Sequence, residues 1–311
     1  ALAIYATIGL VFGIGHKSPQ AITLGAILIF GVAYLLAQGL AAPANREALA
    51  RMTAAVVAAG AFPAVTGVVG GRIVAGMDDG DLERFLAAGA PKVSARDLAW
   101  AAASGNDGAT TVAATLAIMA AAKLDVFATG GIGGVHRDAR EDESADLTEL
   151  SRTSGIVVCA GAKAILDLPA TVERLETLGV TVLGYGTDEF PGFFTARTGL
   201  RVGAVVDRPD QVARVLAAQR ALGRTAAVLV VQPPPPAHAL DAGLVEEAVR
   251  AALGAARQQG VRGPGVTPFL LAAVERATGG ASVAANLALL EANAGLAAAI
   301  SAAVVAGGGW A

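Results

Sequence analysis

The sequence is poor in cysteine, lysine and charge: it has one cysteine, Cys159, four lysines, and only 16% charged residues among 311. A single cysteine excludes an intrachain disulfide and a metal cluster held by several thiolates, and it favours a reducing compartment. With a net charge of −3 and no local basic stripe, the chain is not expected to bind nucleic acid. Because lysines are so scarce, a lysine in a glycine-rich turn is a candidate functional residue.

Apolar residues are abundant instead, at 54% of the chain, which excludes disorder and allows a sizeable core. Residues 18–45 carry no formal charge, and residues 21–42 are almost wholly apolar, which is long enough to span a bilayer. Buried strands and helices of a large α/β core also form continuous apolar runs. We therefore separate residues 1–42, an atypical apolar segment, from a domain at 43–311. Membrane contact by residues 1–42 is the less favoured alternative.

Helical and strand-like patterns alternate at short spacing from Arg46 onward, which is typical of an α/β fold. The pattern predicts a three-layer α/β/α architecture with a central, mostly parallel sheet in a single large domain. Predicted helices cover residues 47–59, 79–88, 111–122, 147–153, 169–178, 209–222, 244–259, 267–278 and 282–305. The clearest predicted strands cover residues 63–69, 125–129, 156–159, 180–184, 201–205 and 226–231.

A glycine-rich run at residues 129–137, Thr-Gly-Gly-Ile-Gly-Gly-Val-His-Arg, follows one of these strands. It does not match the dinucleotide-binding fingerprint, because His136 stands where the third glycine must be if Gly131 and Gly133 are the first two. Four glycines in five residues indicate that the backbone closely approaches either a neighbouring element or a ligand. Both alternatives remain open.

Two neighbouring runs offer sites for a cation and for a phosphate. Asp142 and Asp146 lie in an acid-rich run, where their oxygens suit a hard cation such as Mg²⁺ or Mn²⁺, although a solvated loop is the simpler interpretation. A glycine-rich turn at residues 104–112 leads into an apolar helix, with Thr110 or Thr111 as the N-cap. Free amides at this helix start would suit a sugar phosphate, and a plain cap is an equally good interpretation.

The run Val-Val-Cys-Ala-Gly-Ala-Lys at residues 157–163 is a buried strand that ends in a turn of small residues carrying Lys163. An apolar setting disfavours the ammonium form, lowers the pKa of the lysine and makes a neutral amine available as a nucleophile toward a carbonyl carbon. The alternative is a lysine that extends from the strand end into solvent.

Taken in order, these runs resemble the pseudouridine-5′-phosphate glycosidase family, also called indigoidine synthase A-like. The resemblance also uses Pro-Lys-Val-Ser at 91–94, Gly-Ala-Thr-Thr-Val at 108–112, Ser-Ala-Asp-Leu-Thr-Glu-Leu at 144–150, residues 175–184 and 187–194, Thr-Pro-Phe-Leu-Leu at 267–271, and Asn286 with Asn293. It covers roughly residues 43–303, and its long glycine-rich and lysine motifs are highly specific.

The resemblance implies a cytoplasmic, homotrimeric, metal-dependent lyase that reversibly splits pseudouridine 5′-phosphate into ribose 5-phosphate and uracil. Lys163 matches the family's nucleophile, which forms an iminium with the ring-opened sugar. Asp142 falls at the position of the ligand to Mn²⁺, or to another hard divalent cation. The positions that match substrate contacts are Lys92, Val112, Ser144, Ala145 and Asp146, with His136 and Asn286 as further candidates near the same pocket.

The sequence departs from the family where a glutamate serves as general acid/base, because that position falls on Val32 and no carboxylate precedes Glu47. Either another group substitutes, or the chain is a weakened relative, or this N-terminal sequence is not the native one. Two alternatives to the lyase follow. One is a C-glycosynthase that joins ribose 5-phosphate to an aromatic acceptor in secondary metabolism, and the other is a membrane-tethered sugar-phosphate-binding protein without turnover.

Overall fold

The computed structural model describes residues 27–31, 43–88, 90–137, 139–261 and 265–307. Its strands are β1 (Ile27–Gly31), β2 (Phe62–Val69), β3 (Arg72–Ala75), β4 (Lys92–Val93), β5 (Ala109–Thr110), β6 (Val126–Ala128), β7 (Val135–His136), β8 (Ala139–Glu143), β9 (Ile156–Cys159), β10 (Leu166–Asp167), β11 (Thr181–Tyr185), β12 (Ala204–Val206) and β13 (Val228–Val231). Its α-helices are α1 (Ala44–Ala58), α2 (Asp79–Ala88), α3 (Leu98–Ala103), α4 (Val112–Ala122), α5 (Ala145–Arg152), α6 (Leu168–Thr177), α7 (Pro209–Ala221), α8 (Ala242–Gln258), α9 (Val266–Ala277) and α10 (Ala281–Ala306).

Eight strands form the central sheet in the order β12-β11-β13-β9-β6-β1-β2-β3. All neighbours in this sheet pair in parallel except β2 and β3, which form an antiparallel hairpin. The chain runs from β1 to β2 on one side and then crosses to β6 on the other side of β1. The point between β1 and β6 is therefore a topological switch point, and α/β proteins bind ligands at the carboxyl ends of the strands there.

Helices cover the sheet as the three-layer prediction requires. The long helix α10 packs against α1 and α7 and lies on β1, β6 and β9, while α4 packs on β1, β2 and β3 and is covered by α5. Among the described residues, only α10 is long and apolar enough to cross a membrane. In this fold its buried face packs on the central sheet, as the core helix of a globular domain does.

The α/β fold prediction is confirmed, and the predicted elements lie close to the observed ones. Strand β9 and helix α2 have the predicted bounds, and the other predicted helices are shifted by up to three residues at either end. The acid-rich run, predicted as a surface loop, contains strand β8, which pairs antiparallel with β7. Within the apolar N-terminal segment, Ile27–Gly31 forms β1 in the middle of the sheet. The rest of that segment, including Val32, lies outside the described residues.

Candidate active site

Two backbone segments continue past the carboxyl ends of β6 and β9 and carry Lys163 to the edge of the sheet. The amide of Ala160 donates to the Gly130 carbonyl at 2.8 Å, and the amide of Ile132 donates to the Gly161 carbonyl at 3.0 Å. The amide of Lys163 then donates to the Ile132 carbonyl at 3.1 Å. The glycine-rich run and the lysine turn are thus one paired unit next to the switch point.

Lys163 is buried, with only 8% of its surface exposed, so it does not extend into solvent as the simpler interpretation supposed. Burial lowers the pKa of its amine from 10.5 to about 8, because the charged form loses its hydration. The charge of Asp146 opposes this shift, and the charge of Lys92 adds to it. About a tenth of the amine is therefore neutral at pH 7 and able to act as a nucleophile.

Asp146 lies in the first turn of α5, where it is 7% exposed and its carboxylate is fixed by two backbone amides. Oδ1 accepts a hydrogen bond from the Ala113 amide at 2.9 Å, and Oδ2 accepts one from the Gly133 amide at 2.8 Å. Ser144 caps the same helix and accepts from the Asp146 amide at 3.2 Å. The carboxylate is therefore a fixed negative charge beside Lys163.

The start of α4 favours the plain cap, one of the two interpretations that the sequence left open. Thr111 is its N-cap, and the Thr111 hydroxyl accepts from the Ala114 amide at 3.2 Å, while the Ala113 amide binds Asp146. These two amides are thus occupied by the protein, so the helix start is a cap and an internal carboxylate site. They are not available to a sugar phosphate in this arrangement.

The glycines of the run at 129–137 lie against protein atoms. A Cβ on Gly131 would lie 2.6 Å from the Phe193 ring, and one on Gly133 would lie 2.8 Å from Asp146 Oδ2 and closer still to the Ser144 hydroxyl. A Cβ on Gly134 would lie 2.6 Å from the Thr171 methyl group. Close packing, one of the two alternatives left open by the sequence, accounts for these glycines.

Gly133→Ala is expected to slow turnover at least tenfold and to lower the unfolding free energy by about 1–3 kcal/mol. The reason is that the added methyl group would overlap the Ser144 hydroxyl and the Asp146 carboxylate. Steady-state rates and thermal unfolding measure both effects. Gly254→Ala on α8 is the matched control, since no atom lies within 4 Å of its added methyl group. A Gly133 variant that behaves like the Gly254 variant would contradict this packing.

Residues 186–201 cover the lysine turn. Residues 187–194 contribute to the family resemblance, but no local pattern predicts this contact. Phe193 has a φ of 64°, is fully buried, and donates its amide to the Ala160 carbonyl at 2.9 Å. Glu189 holds this segment together by accepting from the amides of Thr198 and Gly199 at 2.9 and 2.8 Å. Hydrogen bonding from Gly199, then Thr198 and Arg197, lowers the pKa of the Glu189 carboxyl. The segment is therefore a rigid cover.

Arg137 fixes the chain just beyond Lys163. Its guanidinium donates to the carbonyls of Leu166 at 3.1 Å and Ala164 at 2.9 Å, and it forms an ion pair with Glu246 on α8 at 2.8 Å. Arg137 was visible in the sequence only as the end of the glycine-rich run. Its role depends on a carboxylate 109 residues away, which no local pattern indicates.

The remaining predicted site residues differ in burial. Lys92 is exposed on β4, which pairs with β5 just before α4, and it is close enough to affect the Lys163 charge. The fully or half-buried members are Val112 at the start of α4, His136 on β7 and Asn286 on α10; Ala145 is exposed at the start of α5. The structure thus groups Lys163, Asp146 and Ser144 closely, and their roles toward substrate stay predictions.

Asp142 is exposed on β8, two residues before Ser144. Within the described ranges, no group of three or more His, Cys, Asp or Glu side chains is placed to hold a metal ion. Mg²⁺-like ions commonly use one or two carboxylates together with water and substrate phosphate. Asp142 as a ligand to a divalent cation stays a prediction.

Cys159, the one thiol, is not a rival nucleophile. It is fully buried in β9, and burial raises the pKa of its thiol to about 12, so the reactive thiolate is not formed at neutral pH.

Comparisons with known proteins identify relatives over most of the chain. A family model described as indigoidine synthase A like protein matches residues 32–303. A pseudouridine-5′-phosphate glycosidase of Gemmatimonas aurantiaca is 62% identical over 93% of this chain and 94% of that protein. The corresponding protein of Herpetosiphon aurantiacus is 50% identical over 87% of this chain and 90% of that protein.

Two crystal structures share the fold. The prealnumycin C-glycosynthase AlnA in complex with ribulose 5-phosphate has a TM-score of 0.85 and 37% identity, covering 92% of this chain and 93% of that one. An indigoidine synthase A-like protein of Thermotoga maritima has a TM-score of 0.83 and 34% identity, covering 88% and 91%. The chain therefore belongs to the indigoidine synthase A-like family, that of the pseudouridine-5′-phosphate glycosidases, and is an enzyme of the C-glycosidase type.

Proposed function

We propose that the enzyme reversibly cleaves pseudouridine 5′-phosphate to ribose 5-phosphate and uracil through an iminium on Lys163. The observation that carries this proposal is the buried amine of Lys163, with its pKa near 8, beside the fixed carboxylate of Asp146. Relatives that are named for this activity and cover almost the whole chain support the substrate.

The C–C bond between C1′ and uracil has no leaving heteroatom, so its cleavage needs an electron sink at C1′. The neutral Lys163 amine attacks C1′ as the bond from C1′ to the ring oxygen breaks. The alkylated nitrogen then releases one proton, the ring oxygen takes one up, and the nitrogen regains its lone pair. The nitrogen lone pair then forms the C1′=N⁺ iminium as the bond to uracil C5 breaks, and its electron pair goes to the uracil carbon. A proton delivered to that carbon completes the uracil.

Water then adds to the iminium and releases ribose 5-phosphate, which returns Lys163 to the free amine. The net reaction consumes one water. Asp146 is suited to stabilise the positive charge of the iminium, because its carboxylate is held in place before the charge forms.

Lys92 is the proposed partner of the substrate phosphate, because its ammonium group is exposed and its charge acts on Lys163. We propose that Mn²⁺ or another hard divalent cation binds at Asp142 with water and the substrate phosphate as its other ligands. Such an ion would neutralise phosphate charge. We further propose a cytoplasmic homotrimer, in keeping with the family resemblance.

The proton for uracil C5 is the step that the sequence departure concerns. We expect Val32→Glu to raise the rate of uracil release by about 10²–10⁴-fold, the usual contribution of a general acid. Val32→Gln, of the same size without a titrating proton, is the control. Equal rates in wild type and Val32→Glu would show that another group already supplies the proton.

A second candidate function is C-glycosynthesis, in which the Lys163 iminium of ribose 5-phosphate is attacked by an aromatic carbon of another acceptor. The 37% identical C-glycosynthase structure favours it, together with the loss of the glutamate on the base side.

Absorbance-monitored uracil release from pseudouridine 5′-phosphate tests the proposal, with Mn²⁺ present and then with the metal chelated. Release that stops on chelation supports both the lyase and its cation. Release that continues after chelation would exclude a metal requirement and leave the lyase proposal standing. No release, with ribose 5-phosphate still captured on the enzyme by borohydride, would favour the C-glycosynthase instead.

A further inference from the structure

The hydroxyl of Thr129 is buried and makes no hydrogen bond within the described part of the chain. Thr129 is 1% exposed at the carboxyl end of β6, and its Oγ1 has no hydrogen-bond partner among the described residues. A buried hydroxyl without a partner is destabilising, so such groups in native proteins call for an explanation.

The backbone around that hydroxyl is fully engaged. The Thr129 amide donates to the Val158 carbonyl at 2.9 Å, and the Thr129 carbonyl accepts from the Asn293 side chain at 2.8 Å. Asn293 is itself held by the amide of Gln232 at 2.8 Å. Because these bonds use only backbone atoms of Thr129, valine would serve the fold equally well or better.

The backbone position of Thr129 links it to the candidate active site. Residues 129–132 form the segment that pairs with 160–163, so Thr129 begins one strand of the unit that ends in Lys163. It also directly follows β6, which borders β1 at the switch point of the sheet. Thr129 and Lys163 are both enclosed, at 1% and 8% exposure.

The chemistry of the surroundings indicates which part of a substrate Thr129 meets. Lys92 and Asp146 bring charge from the side of β4, α4 and α5, which suits a phosphate and an iminium. Thr129 is tied instead to α10, whose buried polar residues are all uncharged, namely Ser282, Asn286, Asn293 and Ser301. An uncharged base edge that alternates carbonyl and N–H groups suits a hydroxyl that both donates and accepts.

We propose that the Thr129 hydroxyl is a base-recognition group that hydrogen-bonds the polar edge of the pyrimidine leaving group. The inference rests on the proposed lyase function. It makes Thr129 a specificity-determining residue, because a site built around a hydrogen bond rejects substrates that cannot make it.

The test compares Thr129→Val, which keeps the shape and removes the hydroxyl, with Thr129→Ser, which keeps the hydroxyl. We expect kcat/KM for uracil release to fall about tenfold to a hundredfold in Thr129→Val and less than about threefold in Thr129→Ser. Borohydride trapping of ribose 5-phosphate on Lys163, which involves no base, is expected to be unchanged in both. The melting temperature of Thr129→Val is expected to equal or exceed that of wild type.

Three results would overturn the inference. Unchanged kcat/KM in Thr129→Val would show that the hydroxyl does not meet the substrate. A parallel loss of ribose 5-phosphate trapping would show that the Thr129 hydroxyl contacts the sugar and not the base. A lower melting temperature in Thr129→Val than in Thr129→Ser, with equal kinetics, would assign the hydroxyl to the fold. Wild-type protein that forms the Lys163 adduct but releases no uracil would instead defeat the proposed lyase, and this inference with it.

Discussion

Lys163→Met is expected to reduce uracil release by about 10⁴-fold or more, because the variant keeps the bulk of the side chain and removes the amine that forms the electron sink. The loss is expected in kcat, since the phosphate contact of Lys92 is untouched. Burying a charged amine is unfavourable, so the fold does not depend on this lysine. Circular dichroism and thermal unfolding check that the variant remains folded.

Lys123→Met is the matched control for this variant. Lys123 is an exposed lysine in the C-cap position of α4, at the opposite end of this helix from Val112. Its substitution is expected to leave the rate of uracil release within about twofold of wild type, as for most surface changes. Residual release by Lys163→Met above a few per cent of wild type would contradict the assignment of the nucleophile.

The pH dependence of the wild type follows from the same lysine. Its pKa is lowered from 10.5 to about 8, so adduct formation is expected to rise with pH and level off above pH 8. Between pH 8 and 10.5 the unfolded chain holds a proton that the folded chain has lost. The unfolding free energy contributed by Lys163 therefore rises with pH across this window. Initial rates of borohydride trapping at a series of pH values measure the first effect.

Asp146→Asn is expected to lower kcat by about 10²-fold, the scale seen when one preorganised electrostatic partner is removed from an active site. The variant is isosteric, but its amide can accept only one of the two hydrogen bonds from Ala113 and Gly133 and presents a donor to the other. It also removes the negative charge that raises the pKa of Lys163. The pH profile of trapping is therefore expected to shift toward lower pH.

This shift separates an electrostatic role from a purely structural one. Asp241→Asn is the matched control, because Asp241 caps α8 by accepting from the Leu244 amide at 2.9 Å and lies outside the candidate site. The control tests the cost of altering a capping carboxylate and is expected to leave the pH profile in place. A loss of activity in Asp146→Asn with an unchanged pH profile of trapping would show that Asp146 acts through packing and not through its charge.

Local sequence patterns were sufficient for most of the fold, and the reason is physical. Helix and strand periodicity report burial, which is why β9 and α2 could be bounded to the residue and why Lys163 was placed at a strand end. Strand β7, with two residues, is too short to show a pattern. The acid-rich composition of β8 favours a solvated loop until the partner strand is known.

The parts of the site that escaped prediction depend on distant partners. Gly133 has to be glycine because Ser144 and Asp146 pack against it. Arg137 matters because it donates to Glu246 and to two carbonyls. Phe193 matters because its ring, set by a left-handed backbone conformation, packs against Gly131. None of these partners follows from spacing along the chain. Asp146 was found as a candidate from its neighbours in the sequence, but its two backbone donors were not.

The central claim is that the amine of Lys163 forms a covalent iminium with the sugar. Incubation with ribose 5-phosphate, reduction with borohydride and peptide mass spectrometry test it most directly. The account predicts one reduced sugar-phosphate adduct, located on Lys163 and absent from Lys163→Met. Uracil release from an enzyme that yields no adduct, or an adduct located on Lys92, would contradict it.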